Sequence, residues 1–396
     1  MQIGLLGKTN VGKSTFFSAA TETPVATGNF PFTTIEPNVG VAYVKTNCAC
    51  THFRIKHENP LCVNGSRFIP VKLIDIAGLV PGAHVGKGLG NQFLDDARQA
   101  EVLIHVVDIS GSTDIQGQPV QIGTHNPLED IEFVVDEFDQ WFKQILEREW
   151  QKLLKEIEQK TVILVEGIAK RFSGLGIKDY QVQIVLQNTS LLTKKPIEWD
   201  KNDLSTFVKE LRKNTKPILI AANKADLCKD LEITNKIHDE KVILCSAETE
   251  LLLRKASKAG LINYVTGDDN FSIKKEIEMS AQQKKALDVV KTILSKIKTS
   301  GIQTCLNSAV FDILKTIVVY PVEDESKFCN KDGQVLPDAK LLTEGSTAKD
   351  LAETVHADIA KGFLHAIDCK TKQRIGADHK LKNGDVIKIV STLSRG

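Results

Sequence analysis

The sequence predicts an α/β fold: a mostly parallel sheet with helices on both faces, a helical insertion, and a strand-containing C-terminal module. Three observations carry this. Five short apolar runs, at residues 3–6, 71–76, 102–108, 217–222 and 242–245, have the continuity of strands buried on both faces. Between the third and fourth runs, Phe142, Ile145, Leu146, Trp150, Leu153, Leu154 and Ile157 recur at helical intervals with Lys and Glu between them. After residue 316 the pattern turns to alternation, beginning with Thr-Ile-Val-Val-Tyr-Pro-Val.

The first run leads directly into Gly7-Lys-Thr-Asn-Val-Gly-Lys-Ser-Thr15. This is the G-x-x-x-x-G-K-[ST] phosphate loop in its required place, between a strand and a helix. Gly7 and Gly12 let successive N–H groups turn inward around phosphates, with Asn10 and Val11 between them. The helix that follows adds the positive end of its dipole. Lys13 supplies a compact charge to the β- and γ-phosphates, and the Ser14 hydroxyl, beside Thr15, is the expected Mg²⁺ ligand. A P-loop NTPase domain is therefore expected.

The other strand ends select the nucleotide. Asp75-Ile-Ala-Gly78 is a D-x-x-G string whose aspartate serves Mg²⁺ and whose glycine N–H reaches the γ-phosphate. Asn223-Lys224-Ala225-Asp226 closes the fourth run. A carboxylate at Asp226 accepts from guanine N1–H and the exocyclic amine together, and adenine offers no such pair. Lys224 lays its methylene stem along the base. Ser246-Ala247-Glu248 follows the fifth run and places a backbone N–H to meet guanine O6. Pro31 to Pro37 contains Thr33 and Thr34, able to bring a hydroxyl to the metal. Together these define a GTP/GDP site at the carboxyl edge of a parallel sheet.

Asn29-Phe-Pro-Phe-Thr-Thr-Ile-Glu-Pro-Asn-Val-Gly40 and Asp75-Ile-Ala-Gly-Leu-Val-Pro-Gly-Ala-His-Val-Gly-Lys-Gly-Leu-Gly-Asn-Gln-Phe-Leu94 resemble the two switch regions of the Obg/YchF translation-factor GTPases. The resemblance spans almost the whole chain and implies that Thr34 is the Mg²⁺-binding switch threonine. Many YchF members carry a glutamate-ending base motif associated with ATP use. This chain keeps Asp226 and so resembles a branch that retains guanine. The resemblance also implies a coiled-coil-like helical domain and a C-terminal TGS domain, a ubiquitin-like β-grasp. The expected division is a G domain over 1–125 and 216–314, a helical insertion over 126–215, and a TGS domain over 315–396. The insertion is either an arm standing off the sheet to meet a partner or plain packing onto the G domain. Thr347 is the expected cap of a helix reaching Ala360, with Asp350 completing a capping box.

Composition agrees with a large cytoplasmic enzyme. The chain has 396 residues, 42% of them hydrophobic, and a net charge of +1, which excludes a globally basic nucleic-acid binder. No apolar run approaches the ~18 residues of a membrane span, and with a phosphate loop beginning at residue 7 no signal peptide is expected. Eight scattered cysteines favour reduced thiols. A basic strip of Lys370, Lys372, Arg374, Lys380 and Lys382 is a candidate phosphate contact for ribosome or structured RNA, or simply a solvated face.

Three further features bear on chemistry. Leu79 stands where many GTPases keep a water-orienting glutamine, so slow intrinsic hydrolysis is expected. His84, in a glycine-rich stretch, is a speculative catalytic group with a structural role as its alternative. Asn10 is positioned either to ligate K⁺ beside the phosphates or to bond the loop's own backbone. Finally, Cys48, Cys50 and His52 would share one face of an extended strand, and a hairpin at Asn64-Gly65 would return Cys62 to complete four zinc ligands. The alternative is unlinked thiols on a peripheral hairpin. The main reading is a Mg²⁺-dependent GTPase switch acting with ribosomes and an activating or exchange partner. A nucleotide-regulated binding module with incidental hydrolysis is the second.

Overall fold

The computed structural model describes residues 1–22, 39–76, 96–228, 231, 234–235, 237, 240–274 and 279–393. Its large sheet has seven strands: β1 (Gln2–Leu6), β2 (Val39–Asn47), β3 (Cys62–Val63), β4 (Ser66–Asp75), β5 (Val102–Asp108), β6 (Ile218–Asn223) and β7 (Lys241–Leu244). The order is β2-β4-β1-β5-β6-β7, with β3 also on β4. The strands from β4 to β7 run parallel, while β2 and β3 lie antiparallel to β4. Every residue of β5 and β6 is buried, as expected of apolar runs covered on both faces.

Two cores flank the sheet. One joins Leu6, Leu103, Val107, Ile218 and Ile220 to the helical insertion through Phe138, Phe142, Leu146 and Phe207. The insertion consists of α3 (Pro127–Glu158), α4 (Leu164–Arg171), α5 (Asp179–Asn188) and α6 (Lys201–Thr215). The earlier helices are α1 (Lys13–Thr21) and α2 (Ala49–Phe53). Asn126 caps α3 by accepting from the Leu128 amide, with Pro127 at the first helical position. Aromatic rings then knit the helices: Phe142 lies 5.5 Å from Phe172, and Trp150 stacks on Trp199 at 5.2 Å. Of the insertion's helices, α3 packs on β5 of the sheet, and α4, α5 and α6 pack on α3 or on one another.

The other core runs from Ile3, Leu5, Val106 and Leu219 through α1 to the C-terminal module, where Tyr320 and Val386 are fully buried. Between them lie α7 (Ala247–Lys258), the β8–β9 hairpin (Ile262–Asn263, Ser272–Ile273), α8 (Ala281–Ile297) and α9 (Ile302–Asn307). The module is a five-stranded sheet of β10 (Thr316–Val322), β11 (Lys340–Thr343), β12 (Phe363–Asp368), β13 (Gln373–Ile375) and β14 (Val386–Ser391). Its order is β11-β10-β14-β12-β13. Against it pack α10 (Ala348–Val355) and α11 (Ala357–Lys361), with Ile317, Val319, Leu351 and Ile387 in a small core. Thr347 and Asp350 form the expected capping box. The helix, however, stops at Val355 rather than Ala360. His356 is extended at φ −166° and re-caps the chain by accepting from the Asp358 amide.

His105, in the middle of β5, is 1% exposed, and its Nδ1 has no hydrogen-bond partner among the described residues. Burial, and secondarily the charge of Lys8, lowers its pKa from 6.5 to about 3. The unfolded chain therefore takes up a proton near pH 6.5 that the folded chain refuses until about pH 3. This group's stabilisation is present above 6.5 and is lost as pH falls, at up to ~1.4 kcal/mol per unit. Denaturant titrations between pH 7 and 4 should show a shallower pH slope for His105→Leu than for the parent. Equal slopes would refute this assignment.

Candidate nucleotide site

Three loops converge at the carboxyl ends of β1, β6 and β7, beside the end of β4. The phosphate loop leaves β1 after Leu6 and enters α1 at Lys13. Gly12 has φ +90°, and a Cβ there would come within 2.4 Å of Asn223 Nδ2, so both conformation and space require glycine. Ser14 is exposed and Thr15 half-buried in the first turn of α1, where backbone N–H groups lack helical partners. Lys13 Nζ contacts Asp75 Oδ1 at the end of β4, joining the lysine of the phosphate loop to the aspartate of the D-x-x-G string.

Asn223 ties the arrangement together. It is 2% exposed; its Nδ2 donates to the Val11 carbonyl at 2.9 Å, and its Oδ1 accepts from the Ala247 amide at 3.0 Å. One amide thus bridges the phosphate loop, the base motif and the start of α7. Ser246 Oγ caps α7 by accepting from the Thr249 amide, and Glu248 is exposed beside it. The Ala225 amide donates to the Cys245 carbonyl at 3.1 Å, which sets Asp226, half-buried, one residue beyond.

Lys224 takes a left-handed backbone at φ +60° and donates to Asp108 Oδ2 at 2.8 Å and to Ser112 Oγ at 3.1 Å. Asp108 is fully buried at the end of β5 and also accepts from the amide of Ser110 and the hydroxyls of Ser110, Ser112 and Thr113. Burial pushes its carboxyl up, but the Lys224, Ser110 and Ser112 bonds outweigh this and the net pKa is lowered. The sequence reading missed Asp108. Its only signal was its place as the last residue of a strand in a sheet whose other strand ends carry the motifs.

The segment after Asp108 folds over the phosphate loop. Thr9 Oγ1 donates to the Gln116 carbonyl at 3.3 Å, and Asn10 Nδ2 donates to the Gly117 carbonyl at 2.8 Å. Asn10, at φ +64°, thus bonds the backbone of the segment after β5 rather than the phosphate loop's own backbone, the alternative the sequence offered to K⁺ ligation. Lys8 is 5% exposed and reaches into the insertion, donating to the Thr113 carbonyl at 3.0 Å and to Asp130 at 2.8 Å; His125 Nε2 lies 2.8 Å from the same carboxylate. Thr33, Thr34, Gly78, Leu79 and His84 lie outside the described residues.

Away from this site, the proposed Cys48–Cys50–His52–Cys62 set needs correction. Residues 49–53 form helix α2 rather than a strand, so alternate side chains do not share a face. His52 packs edge-on to Phe53 at 5.1 Å. The residue gathered with Cys48, Cys50 and Cys62 is His57.

A parallel sheet with a phosphate loop and base-binding motifs at its carboxyl edge defines a P-loop GTP-binding domain. Comparison with known proteins agrees. A model of 50S ribosome-binding GTPases matches residues 2–167, one of the G4-motif domain of Obg-like, YGR210-like GTPases matches 221–324, and the TGS domain model matches 331–391. A GTP-binding protein of Methanocaldococcus jannaschii is 47% identical over 395 residues, 98% of each chain. The crystal structure of a GTP-binding protein from Pyrococcus horikoshii OT3 is 39% identical, with a TM-score of 0.77 over 99% of this chain and 100% of that one. The ribosome-binding ATPase YchF of Buchnera aphidicola is 28% identical over 412 residues, 97% of each chain. The chain belongs to the Obg/YchF family of GTP-binding proteins, and carries a TGS domain.

Asn223→Ala removes both bonds and orphans the Val11 carbonyl and the Ala247 amide, at ~1–3 kcal/mol for each group. Calorimetric titration with GDP should show Kd raised at least ~10-fold. An unchanged Kd would show that the bridge does not organise the site.

Proposed function

We propose that this chain hydrolyses GTP to GDP and phosphate as a Mg²⁺-dependent switch, slowly alone and faster with a ribosomal partner. The observation that carries the reading is Asn223, which places the guanine-selecting segment around Asp226 in fixed relation to the phosphate loop. Asp226 then accepts from guanine, while the backbone of residues 12–15 and Lys13 cradle the phosphates. Because the Ala247 amide donates to Asn223, the Ser246 amide to the Ser300 carbonyl and the Thr249 amide to Ser246 Oγ, the Glu248 amide is the donor left at the start of α7 for guanine O6. Ser14 and Asp75, with Thr34 from the first switch, are the residues suited to hold Mg²⁺, which neutralises phosphate charge during transfer. Gly78 senses the γ-phosphate, and its loss releases the two switch segments. Lys13 must leave Asp75 to meet the phosphates, so nucleotide entry exchanges one ion pair for another.

Leucine at position 79 cannot orient water, which supports slow turnover unless a partner completes the site. His84 is one candidate for that task. K⁺ at Asn10 would be held by the amide oxygen Oδ1, while Nδ2 keeps its bond to the Gly117 carbonyl. A ribosomal partner is suggested by the name of the Buchnera relative and by the TGS domain. In that domain Lys370, Lys372, Arg374, Lys380 and Lys382 are all exposed. Lys372 is partly spoken for, since it donates to the Glu325 carbonyl and lies 5.2 Å from the Phe328 ring centre. Among the described residues no helix is long and apolar enough to cross a membrane, and we place the protein in the cytoplasm.

The test is multiple-turnover GTP hydrolysis with and without ribosomes, in KCl and in NaCl. Ribosomes should raise kcat at least ~10-fold, and neutralising the five basic TGS residues should reduce that gain without altering basal turnover. No ribosome effect, with binding that depends on nucleotide but never on turnover, would favour the binding-module reading. Equal rates in the two salts would remove K⁺.

A further inference from the structure

Four metal-binding side chains meet where the large sheet abuts the TGS domain. Cys48 is 1% exposed at the N-terminal boundary of α2, and Cys50 follows in its first turn. His57 comes from the loop after α2, and Cys62 opens β3. Their ligand atoms all lie within 4.8 Å of one another. Cys50 Sγ is 3.8 Å from Cys62 Sγ, and Cys48 Sγ is 3.6 Å from His57 Nε2. A tetrahedral zinc with ordinary Zn–S and Zn–N bonds requires edges of about 3.8 Å between two sulfurs and about 3.5 Å between sulfur and nitrogen. A disulfide requires ~2.05 Å, and Cys48, Cys50 and Cys62 are all free thiols. Both observed edges therefore match zinc.

Arg67 provides an independent indication. It is 2% exposed and faces Cys62 across the β3–β4 ladder, so the two side chains emerge on the same side. Its Nη2 donates to the Pro337 carbonyl at 3.0 Å, but Nε and Nη1 have no hydrogen-bond partner among the described residues. A buried guanidinium with two idle nitrogens is costly without a compensating anion. Three thiolates and one neutral imidazole around a divalent ion carry one net negative charge, which compensates it. The Asn59 amide lies 3.4 Å from His57 Nδ1, which leaves Nε2 as the nitrogen turned toward the thiols.

We propose that Cys48, Cys50, His57 and Cys62 bind one zinc ion in a closed, four-ligand structural site. Soft thiolates with imidazole select zinc among the common divalent ions, and four protein ligands leave no position for substrate. Binding releases the three thiol protons to solvent. The ion fastens the loop between β2 and β3, and that loop carries the TGS domain. Asn59 Nδ2 donates to the Leu336 and Pro337 carbonyls at 3.1 Å each, and Phe53 packs on Phe328 at 4.6 Å. Zinc therefore acts as a brace between the two domains, apart from the nucleotide site.

Full-length protein, purified without a metal-affinity step, is assayed by inductively coupled plasma mass spectrometry. About one zinc per chain is expected. His57→Ala and Cys62→Ser should retain less than about a tenth of it, His52→Ala should retain all of it, and each should still bind GDP. Should the first two fail to fold, the parent protein supplies the answer. Titration with p-hydroxymercuribenzoate should release zinc to a chromophoric chelator, and Co²⁺ exchange should give thiolate-to-metal charge transfer and tetrahedral ligand-field bands. No zinc and no such cobalt spectrum in the parent would overturn the proposal. Loss of metal in His52→Ala with retention in His57→Ala would overturn the ligand assignment.

Discussion

The side chain of Asn223 is the constraint on which the nucleotide site depends. Its two bonds hold the phosphate loop at Val11 and the helix start at Ala247 against the end of β6. Each is a buried backbone group that would otherwise lack a partner, so the bridge fixes three loops from three strands at once. Gly12 is the complement to this choice, because any Cβ there would strike the Asn223 amide. The same contact that forms the bridge also demands the glycine of the phosphate loop.

Around that centre, charge links the site to the rest of the molecule. Lys224 reaches Asp108 and Ser112, and Lys8 reaches Asp130 of α3, both in substantially buried settings. Through Lys8, Asp130 and His125, the phosphate loop is fastened to the first turn of the helical insertion. The insertion shares its core with Leu6 and Val107, so a rearrangement of the loop is felt by packed helices rather than by a loosely attached arm. On the other face, Tyr320 and Val386 share a core with Ile3 and Leu5, which joins the TGS domain to the same sheet.

Much of this was legible because each motif follows an apolar run of strand length. The run before Gly7 becomes β1, and the run before Asn223 becomes β6, so the spacing of motifs on strand ends predicts the convergence that is observed. Thr347 and Asp350 likewise gave the helix start, since a capping box is a local signal. Its end was not legible, because His356 stops the helix with an extended backbone that no propensity marks. Asp108 escaped because an aspartate becomes a hub only through hydroxyls and a lysine brought from elsewhere in the chain. His57 escaped for a related reason. Alternation suits a strand, but residues 49–53 wind into a helix, which turns His52 away and lets the following loop deliver another histidine.

The central claim is that the site selects guanine through Asp226 once Asn223 has set its position. Isothermal titration of the full-length protein with GDP and with ADP, in the presence of Mg²⁺, addresses it most directly. GDP should bind at least ~100-fold more tightly, because adenine leaves the carboxylate without donors. Equal affinities, or a preference for ADP, would contradict it.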